Sequence, residues 1–514
     1  MITTDRNFSP EVSGKDDDPV LREIANLSIA CFPEFGRGLS GNRSVSYTSS
    51  GLKRIAGELS GINYPDELSS IFSDTVFLKE ENATGAYHPV LQAVGDEKSV
   101  TRKDSLSGRK VFDVERIRRD FPILSEKVNN GQKLVWLDNA ATTQKPEPVI
   151  ARISRFYLHE NSNVHRGAHE LAARSTDAYE EARQKVAAFL TAPSASDIVF
   201  VRGTTEGINL VAQSYVKPRL EAGDEIILSI LEHHANIVPW QQVCAETGAL
   251  IRVIPADDSG QLILSEYRKL FNRRTRFVSV THVSNALGTV TPVGEMIGIA
   301  HHHGVKTLID AAQSVAHIPV DVQELDADFL VFSGHKIFGP TGIGVVYGKK
   351  ELLDSAVPYQ GGGNMIADVT FGKTRYRPAP ARFEAGTGNI AGAVGLGAAL
   401  DYVEKTGIHE ISRYEHELLV YAMDQFKRIS GLHLIGNAAD RTSVLSFVMD
   451  GYDVSEIGHY LSRHGIAVRA GHHCAQPALR RYGLEATVRP SLAFYNTFEE
   501  IDCLVKTLLR LRQY

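Results

Sequence analysis

A lysine and an aspartate stand at the ends of two successive apolar segments. Asp310 closes the segment TLID, and Lys336 follows the segment FLVFSGH, 26 residues further on. This separation leaves room for a helical crossover between parallel strands, whose carboxyl ends share one crevice. A buried lysine there can form a Schiff base, and a carboxylate can hold a protonated ring nitrogen. Taken singly, a solvated lysine and a helix-capping aspartate are the commoner explanations.

Polar groups at other predicted strand ends point to the same crevice. The segment FVRGTTEGINLV, residues 200–211, predicts a strand, a tight turn at residues 203–205 and a helix that begins near Glu206. Free backbone N–H groups, a helix dipole and two hydroxyls at such a turn favour a phosphate group, although a capped helix has the same pattern. His233 and Asn285 also follow predicted strands. Because several predicted strand ends carry such groups, a shared site explains the pattern better than coincidence does.

Cys474 lies in the loop RAGHHCAQP. Arg469, His472 and His473 in this loop provide a cationic setting of the kind that stabilises a thiolate. The histidines and the cysteine are also usual zinc ligands, but no second cluster in the sequence completes four ligands. We therefore predict a reactive thiol and no metal site.

Alternating strand and helix patterns from about residue 111 onward predict the elements that position these groups. Short apolar strands that end in polar or glycine residues indicate an α/β fold with a mainly parallel sheet covered by helices on both faces. The predicted strands are Leu134–Leu137, Ile198–Val201, Glu225–Leu228, Arg276–Val280, Lys306–Ile309, Phe329–Phe332 and Ile343–Tyr347.

The ends of the chain differ from this pattern. After a helical stretch around Ala391–Glu404, strands near Val444–Val448 and Val488–Phe494 and a helix at Glu499–Leu511 predict a smaller α+β unit. We assign residues 111–395 to a large domain and residues 396–514 to this small domain. Residues 1–110 alternate polar stretches with short amphipathic patches, which predicts a largely disordered extension that serves either as a docking segment or as a linker.

Composition indicates small-molecule chemistry. The chain has 514 residues and a net charge of -6, without the basic excess that nucleic-acid binding needs. No apolar stretch reaches membrane-spanning length, and the amino terminus has no signal pattern. The widely spaced cysteines fit a reducing cytoplasm, and Cys31, Cys244 and Cys503 lie in apolar patterns typical of core or interface residues. We expect a cytoplasmic enzyme that binds neither nucleic acid nor membrane.

Residues 133–512 resemble the class V aminotransferase-like enzymes that use pyridoxal 5'-phosphate (PLP), and specifically the class II, SufS-type cysteine desulfurases. The resemblance covers about three quarters of the chain. It implies the PLP-dependent transferase fold type I, with a mainly parallel seven-stranded sheet. The segments that carry it are LDNAATTQKP (137–146), NVHRGAHELA (163–172), VRGTTEGINLVA (201–212), LEHHANIVPWQ (231–241), THVSNALGTV (281–290), DAAQSVAH (310–317), FSGHKIFGPTGIG (332–344), RFEAGTGN (382–389) and GIAVRAGHHCAQP (465–477).

The resemblance implies a role for each candidate residue. Lys336 is the Schiff-base lysine and proton shuttle, Cys474 is the sulfur acceptor, and His233 stacks over the cofactor. Asp310 pairs with the ring nitrogen, and Gln313 with the ring oxygen. The implied phosphate ligands are Thr204, Thr205, Ser333, His335 and, from a second subunit of a homodimer, Thr387. The implied substrate-binding residues are His165, Asn285, Arg469 and Arg489.

The implied reaction converts L-cysteine to L-alanine and leaves a persulfide on Cys474, for iron–sulfur cluster assembly or sulfur storage through an acceptor protein of the SufE or SufU type. Selenocysteine lyase, another class V PLP enzyme and an inactive PLP-fold scaffold are the alternatives. Residues 1–110 are similar to extensions of desulfurases that are packaged in encapsulin shells. That similarity implies a targeting tether and a shell partner, against the alternative of a plain linker.

Overall fold

Short strands and helices alternate along the chain. The computed structural model describes residues 112–129, 131–165 and 167–511, which belong to one compact unit. Its strands, numbered in chain order, are β1 (Lys127–Val128), β2 (Gln132–Lys133), β3 (Val135–Trp136), β4 (Ile198–Val201), β5 (Glu225–Ser229), β6 (Leu250–Ile254), β7 (Thr275–Thr281), β8 (Lys306–Asp310), β9 (Phe329–Ser333), β10 (Gly344–Gly348), β11 (Ile366–Val369), β12 (Thr374–Tyr376), β13 (Leu432–Ile435), β14 (Ser446–Met449), β15 (Ile466–Ala467), β16 (Arg469–Gly471) and β17 (Thr487–Arg489).

The α-helices bury apolar faces against these strands and against one another. None of the helices in the described part of the chain is long and apolar enough to cross a membrane. In chain order they are α1 (Val114–Arg119), α2 (Glu147–His159), α3 (Glu170–Phe189), α4 (Thr204–Val211), α5 (Val238–Thr247), α6 (Leu264–Lys269), α7 (Val293–His302), α8 (Lys350–Ser355), α9 (Ile390–Thr406), α10 (Ile408–Phe426), α11 (Val454–Arg463), α12 (Gln476–Arg480) and α13 (Phe498–Leu511).

A seven-stranded sheet with the order β4-β10-β9-β8-β7-β5-β6 forms the centre of the fold. Strand β10 runs antiparallel to both of its neighbours, and the other pairings are parallel. The connection between β9 and β10, residues 334–343, is shorter than the dozen or so residues that a parallel crossover requires, which explains the reversed strand. The predicted mainly parallel sheet is confirmed.

Two strand predictions need correction. The predicted strand Leu134–Leu137 shortens to β3, which pairs with β15 and does not join the large sheet. The seventh strand of the large sheet is β6, which the sequence pattern did not reveal. Strand β6 lies at the sheet edge, and its residues Leu250 and Val253 are 48% and 49% exposed, so it lacks the buried apolar run that marks the central strands.

A smaller antiparallel sheet, with the order β13-β14-β17-β16, carries the carboxyl-terminal part of the fold. The predicted strands near Val444–Val448 and Val488–Phe494 correspond to β14 and β17, and the predicted final helix corresponds to α13. The predicted boundary between residues 395 and 396 stays a prediction. Residues 1–110 lie outside the described residues, as does the prediction about their disorder.

Glycine allows the turn before α4 to lie directly against the sheet. A Cβ atom on Gly344 would lie 2.5 Å from the Cα of Gly203 and 2.7 Å from the carbonyl oxygen of Phe332. A Cβ atom on Gly203 would lie 3.1 Å from Ser333 Oγ. Position 344 has no room for a side chain and position 203 would be tight, and this close approach brings the start of α4 to the end of β9.

We predict that Gly344→Ala lowers the free energy of unfolding by about 1–3 kcal/mol, because the methyl group forces backbone segments apart. Gly298→Ala is the control: its Cβ would meet no atom within 4 Å, and replacing glycine inside helix α7 should raise stability by up to about 1 kcal/mol. Urea unfolding of the two variants measures both effects, and equal stabilities would contradict the close-approach argument.

Candidate active site

One cavity of about 190 Å³ gathers most of the predicted site residues. It lies where four neighbouring parallel strands, β5, β7, β8 and β9, end, the usual ligand position in an open α/β sheet. The loop between β16 and α12 completes its wall. The predicted residues that line it are Thr204, Thr205, His233, Asn285, Asp310, Gln313, Ser333, His335, Lys336, Arg469, Cys474 and Arg489.

Lys336 and Asp310 face this one cavity from adjacent strand ends. Burial lowers the pKa of Lys336 to about 8, although the negative charge of Asp310 opposes the shift. Burial raises the pKa of Asp310, while a hydrogen bond from the Ala312 N–H (2.9 Å) opposes that shift. Asp310 therefore accepts its hydrogen bond from a turn, and it does not cap an α-helix. A lysine with a pKa near 8 is neutral in roughly a tenth of the molecules at pH 7, far more than an ordinary lysine, and the neutral amine is the form that reacts with a carbonyl group.

Four donors hold the peptide that precedes Lys336. The carbonyl oxygen of His335 accepts hydrogen bonds from Thr142 Oγ1 (3.1 Å), from Thr143 Oγ1 (3.2 Å) and N–H (3.0 Å), and from Lys145 Nζ (3.2 Å). Burial lowers the pKa of Lys145 to about 8. These positioning residues were not predicted. Their only sequence signal is that they lie within the family segment LDNAATTQKP.

The start of α4 provides the predicted anion cradle. The helix begins at Thr204, two residues before the predicted start. The Thr204 N–H donates to Ser333 Oγ (2.8 Å), and the two hydroxyls are hydrogen-bonded to each other (2.8 Å). Thr205 is exposed at the rim, and burial lowers the pKa of His335 to about 4, so its ring is neutral at pH 7. Free N–H groups at a helix start and three hydroxyls suit a phosphate group.

The remaining walls suit a flat ring with a basic nitrogen. Burial, together with the positive charge of Lys336, lowers the pKa of His233 to about 3, so its imidazole is a neutral plate in the cavity wall. Gln313 Nε2 donates to the Ala140 carbonyl (2.6 Å), which fixes the amide in the wall. A buried carboxylate at Asp310, a neutral ring at His233 and the anion cradle together fit a phosphorylated pyridine such as PLP.

Arg489 is a buried guanidinium with incomplete pairing. Its Nη1 donates to the Asn285 carbonyl (2.8 Å), and its Nη2 lies 3.2 Å from Asp138 Oδ1. Within the described residues, Arg489 Nε and Asn285 Oδ1 have no hydrogen-bond partner. Burial lowers the pKa of Arg489 to about 10, and Asp138 opposes the shift, so the side chain stays charged at neutral pH. The carboxylate of a small ligand would accept a hydrogen bond from the unpaired Arg489 Nε. No sequence pattern indicates that Asp138 is the ionic partner of Arg489.

Hydrogen bonds anchor the Cys474 loop to the strand ends of the large sheet. The His234 N–H donates to the Cys474 carbonyl (2.7 Å), and Asn285 Nδ2 donates to the His473 carbonyl (2.7 Å). His473 and Cys474 have φ values of 53° and 55°, in the left-handed region that side chains other than glycine rarely adopt. Tertiary contacts therefore hold the turn that places the partly exposed Cys474 thiol at the cavity.

The predicted cationic setting of Cys474 is wrong for one residue. His473 is buried, and burial lowers its pKa to about 2, with the charges of Arg489 and Arg469 adding to the shift. The ring is neutral and hydrogen-bonds with Thr487 Oγ1 (2.8 Å). The positive charge beside the thiol therefore comes from the arginines that line the cavity and not from this histidine.

Two predicted residues lie outside the cavity lining. His165 Nε2 pairs with Glu180 Oε1 at 2.9 Å. Thr387 is exposed, and its hydroxyl lies 3.4 Å from Asn163 Oδ1. The structure of a single chain does not bring either of them to Lys336. A phosphate contact from Thr387 needs a second copy of the chain and stays a prediction.

The aminotransferase class-V family matches residues 135–504 of the chain. A cysteine desulfurase of Synechococcus elongatus is 65% identical over 401 residues, which are 78% of this chain and 64% of that protein. A cysteine desulfurase of Escherichia coli is 50% identical over 404 residues, which are 78% of this chain and 99% of that protein. The chain thus spans less than two thirds of the first relative and nearly all of the second.

Solved structures show the same likeness. The cysteine desulfurase CsdA of Escherichia coli, solved as an S-sulfonic acid, has a TM-score of 0.73 and 41% identity, and the match covers 79% of this chain and 99% of that chain. The apo cysteine desulfurase of Thermococcus onnurineus has a TM-score of 0.74 and 38% identity, over 78% and 98% of the two chains.

The lowered pKa of Lys336 predicts the pH dependence of PLP uptake by the cofactor-free protein. Because the neutral amine reacts with the aldehyde, the rate of colour formation should rise up to about pH 8 and then level off. An ordinary lysine would give a rate that still climbs at about pH 10. Stopped-flow absorbance measures the rate, with Lys336→Ala as the blank. A tenfold rise per pH unit from 8 to 10 would contradict the prediction.

Proposed function

The chain belongs to the class-V aminotransferase family, and from this membership we propose that it is a PLP-dependent cysteine desulfurase. The observation that carries the proposal is that Lys336 and Cys474 line one cavity together with the incompletely paired Arg489. The first two supply a base and a sulfur nucleophile, and Arg489 supplies a site for a carboxylate. The names of the relatives support the same reaction.

PLP fits the residues that face this cavity. Lys336 would hold it through its amine, and Asp310 at the ring nitrogen. His233 would lie against the ring, and Gln313 would bind the ring oxygen. The residues proposed to bind the phosphate are Thr204, Thr205, Ser333 and His335. When bound, PLP supplies an electron sink for charge at the Cα of an amino acid joined to it. Burial raises the pKa of Asp310, so a protonated ring nitrogen is the partner that keeps this carboxylate charged.

Arg489 and Lys336 orient the substrate and move its proton. The Arg489 guanidinium would bind the carboxylate of cysteine with support from Asn285, and Arg469 adds positive charge to the same wall. Because Arg489 and Lys336 line the same cavity, a substrate held by its carboxylate would have its Cα proton within reach of the Lys336 amine. A pKa of about 8 lets this amine take up the proton and return it at neutral pH.

Cys474 would accept the sulfur. Its thiolate attacks the Sγ atom of the substrate, and a new sulfur–sulfur bond forms as the substrate Cβ–Sγ bond breaks. The electron pair of the broken bond stays on the carbon product, which takes up a proton and leaves as alanine. Cys474 keeps the sulfur as a persulfide, and the reaction needs no external oxidant.

The site leaves some of the alternatives open. Selenocysteine has the same carboxylate and amine as cysteine, so the contacts at Arg489 and Lys336 do not separate the two substrates. We further propose a homodimer in which Thr387 of a second copy reaches the phosphate, because Thr387 is exposed and is not part of the lining of its own cavity. A SufE- or SufU-type acceptor could reach the persulfide, since Cys474 is partly exposed.

Two substitutions separate a desulfurase from an inactive scaffold. Cys474→Ser should keep the yellow colour of bound PLP. Its rate of alanine formation from cysteine should fall at least about a thousandfold, because the sulfur acceptor is gone. Lys336→Ala should lose both the colour and the activity. Absorbance and alanine release measure the two properties, and Cys503→Ser, in helix α13, is the control that should change neither. Alanine release by Cys474→Ser at the native rate would refute the proposal.

The role of residues 1–110 is tested separately. We propose that this segment is a tether to an encapsulin shell, on the similarity of LREIANLSIACFPEFG and DTVFLKE to cargo extensions. Co-expression of a shell protein with the full chain and with a chain that begins at residue 111 should give copurification of the full chain alone. Equal copurification of both chains, or of neither, would rule out the tether.

A further inference from the structure

The Cys474 thiol lies beside two imidazoles from different parts of the chain. Ligand atoms of His234, His472 and Cys474 all lie within 4.8 Å of one another. His472 comes from the same loop as the thiol, whereas His234 comes from the loop after β5. His472 and Cys474 are close in the sequence, and the fold brings His234 to them.

Both rings direct an accepting nitrogen at the thiol loop. His472 Nδ1 accepts a hydrogen bond from the Cys474 N–H (3.0 Å), and His234 Nε2 accepts one from the Gln476 N–H (3.3 Å). The rings are stacked, with centroids 5.7 Å apart and planes 28° from parallel. An imidazole nitrogen that accepts a hydrogen bond is unprotonated, which is the form that binds a metal. Metal binding would replace these two amide contacts.

The three groups match the ligand chemistry of zinc. Zn²⁺ takes thiolate sulfur at about 2.3 Å and imidazole nitrogen at about 2.0–2.1 Å in a tetrahedral arrangement. Those bond lengths separate the ligand atoms by roughly 3.3–3.6 Å. From separations within 4.8 Å, the cluster reaches that size if side-chain rotations move the ligand atoms by about an ångström. His472 is exposed and the other two residues are partly exposed, so an ion can enter from solvent.

We propose that His234, His472 and Cys474 form a Zn²⁺ site that masks the sulfur-acceptor thiol. Binding joins Cys474 Sγ to the metal and releases the thiol proton to solvent, with no change in oxidation state. Three protein ligands leave the fourth position to water or a small thiol. A metal-bound thiolate is a weaker nucleophile than a free one and is blocked on its metal side, so zinc holds the chain inactive until a chelator removes it. This consequence rests on the proposed function, whereas the site itself does not.

Zinc counting tests the ligands. Full-length protein with PLP bound, dialysed against Zn²⁺ and measured by inductively coupled plasma mass spectrometry, should hold one more zinc ion than Cys474→Ser. The same loss is expected for His234→Gln and His472→Gln. Cys503→Ser and His303→Gln are the controls and should keep the native count, because Cys503 packs against the core and His303 stacks on Phe271. An unchanged count in the three cluster variants would overturn the proposal.

Alkylation gives a second readout that needs no substitution. Zn²⁺ should slow the reaction of Cys474 with iodoacetamide at least about tenfold in the native protein, and a chelator should restore it. Peptide mass spectrometry measures the rate, with Cys503 as the internal standard. Equal alkylation of Cys474 with and without zinc would overturn the site. If zinc protects Cys474 but the chelated protein releases no alanine from cysteine, the site stands and the proposed function fails.

Discussion

The hydrogen bond from the His234 N–H to the Cys474 carbonyl joins the two parts of the proposed chemistry. Lys336 lies in the short turn that follows β9 of the large sheet, whereas Cys474 lies beyond β16 of the small sheet. This contact and the one from Asn285 to the His473 carbonyl help to hold the thiol loop over the strand ends. Each such bond contributes a net stabilisation of only about 0.5–1.5 kcal/mol. Two successive left-handed residues cost on the order of 1–3 kcal/mol each, so the loop depends on all of its tertiary contacts together.

Burial lowers the pKa of the basic groups in this cavity and raises the pKa of its acidic group. Each group is therefore suited to a different task. Burial lowers the pKa of Lys336 to about 8 and makes the amine a usable base. It also raises the pKa of Asp310, which then favours a cationic partner. Arg489 keeps its charge because its pKa remains near 10. Within one small volume the chain therefore holds an amine that can lose its proton near neutral pH, a carboxylate in need of a partner and a permanent cation.

The local sequence pattern predicts the central strands and the polar residues at their ends, because a buried strand is a short apolar run bounded by polar groups. This signal is enough to place Asp310, Lys336, His233 and Asn285 at one edge of the sheet. The pattern does not show which strands pair with each other. It missed β6, whose edge position leaves Leu250 and Val253 half exposed, and it could not show that β3 pairs with β15.

Long-range contacts account for the other features that the sequence did not predict. The donors on the His335 carbonyl lie about 190 residues from it in the sequence, and no local pattern connects them. The neutral state of His473 results from burial that only the folded chain creates. The resemblance to a known family supplied the roles of single residues, and the geometry then showed which of them share a cavity.

The central claim is that Lys336 and Cys474 serve the same bound amino acid. Mass spectrometry of the protein after one turnover with cysteine tests this claim most directly, because it locates the transferred sulfur. The account predicts one added sulfur atom on the peptide that contains Cys474, and none when Lys336 is replaced by alanine. An added sulfur on Cys244 or Cys503 instead, or one on Cys474 that persists without the Lys336 amine, would contradict it.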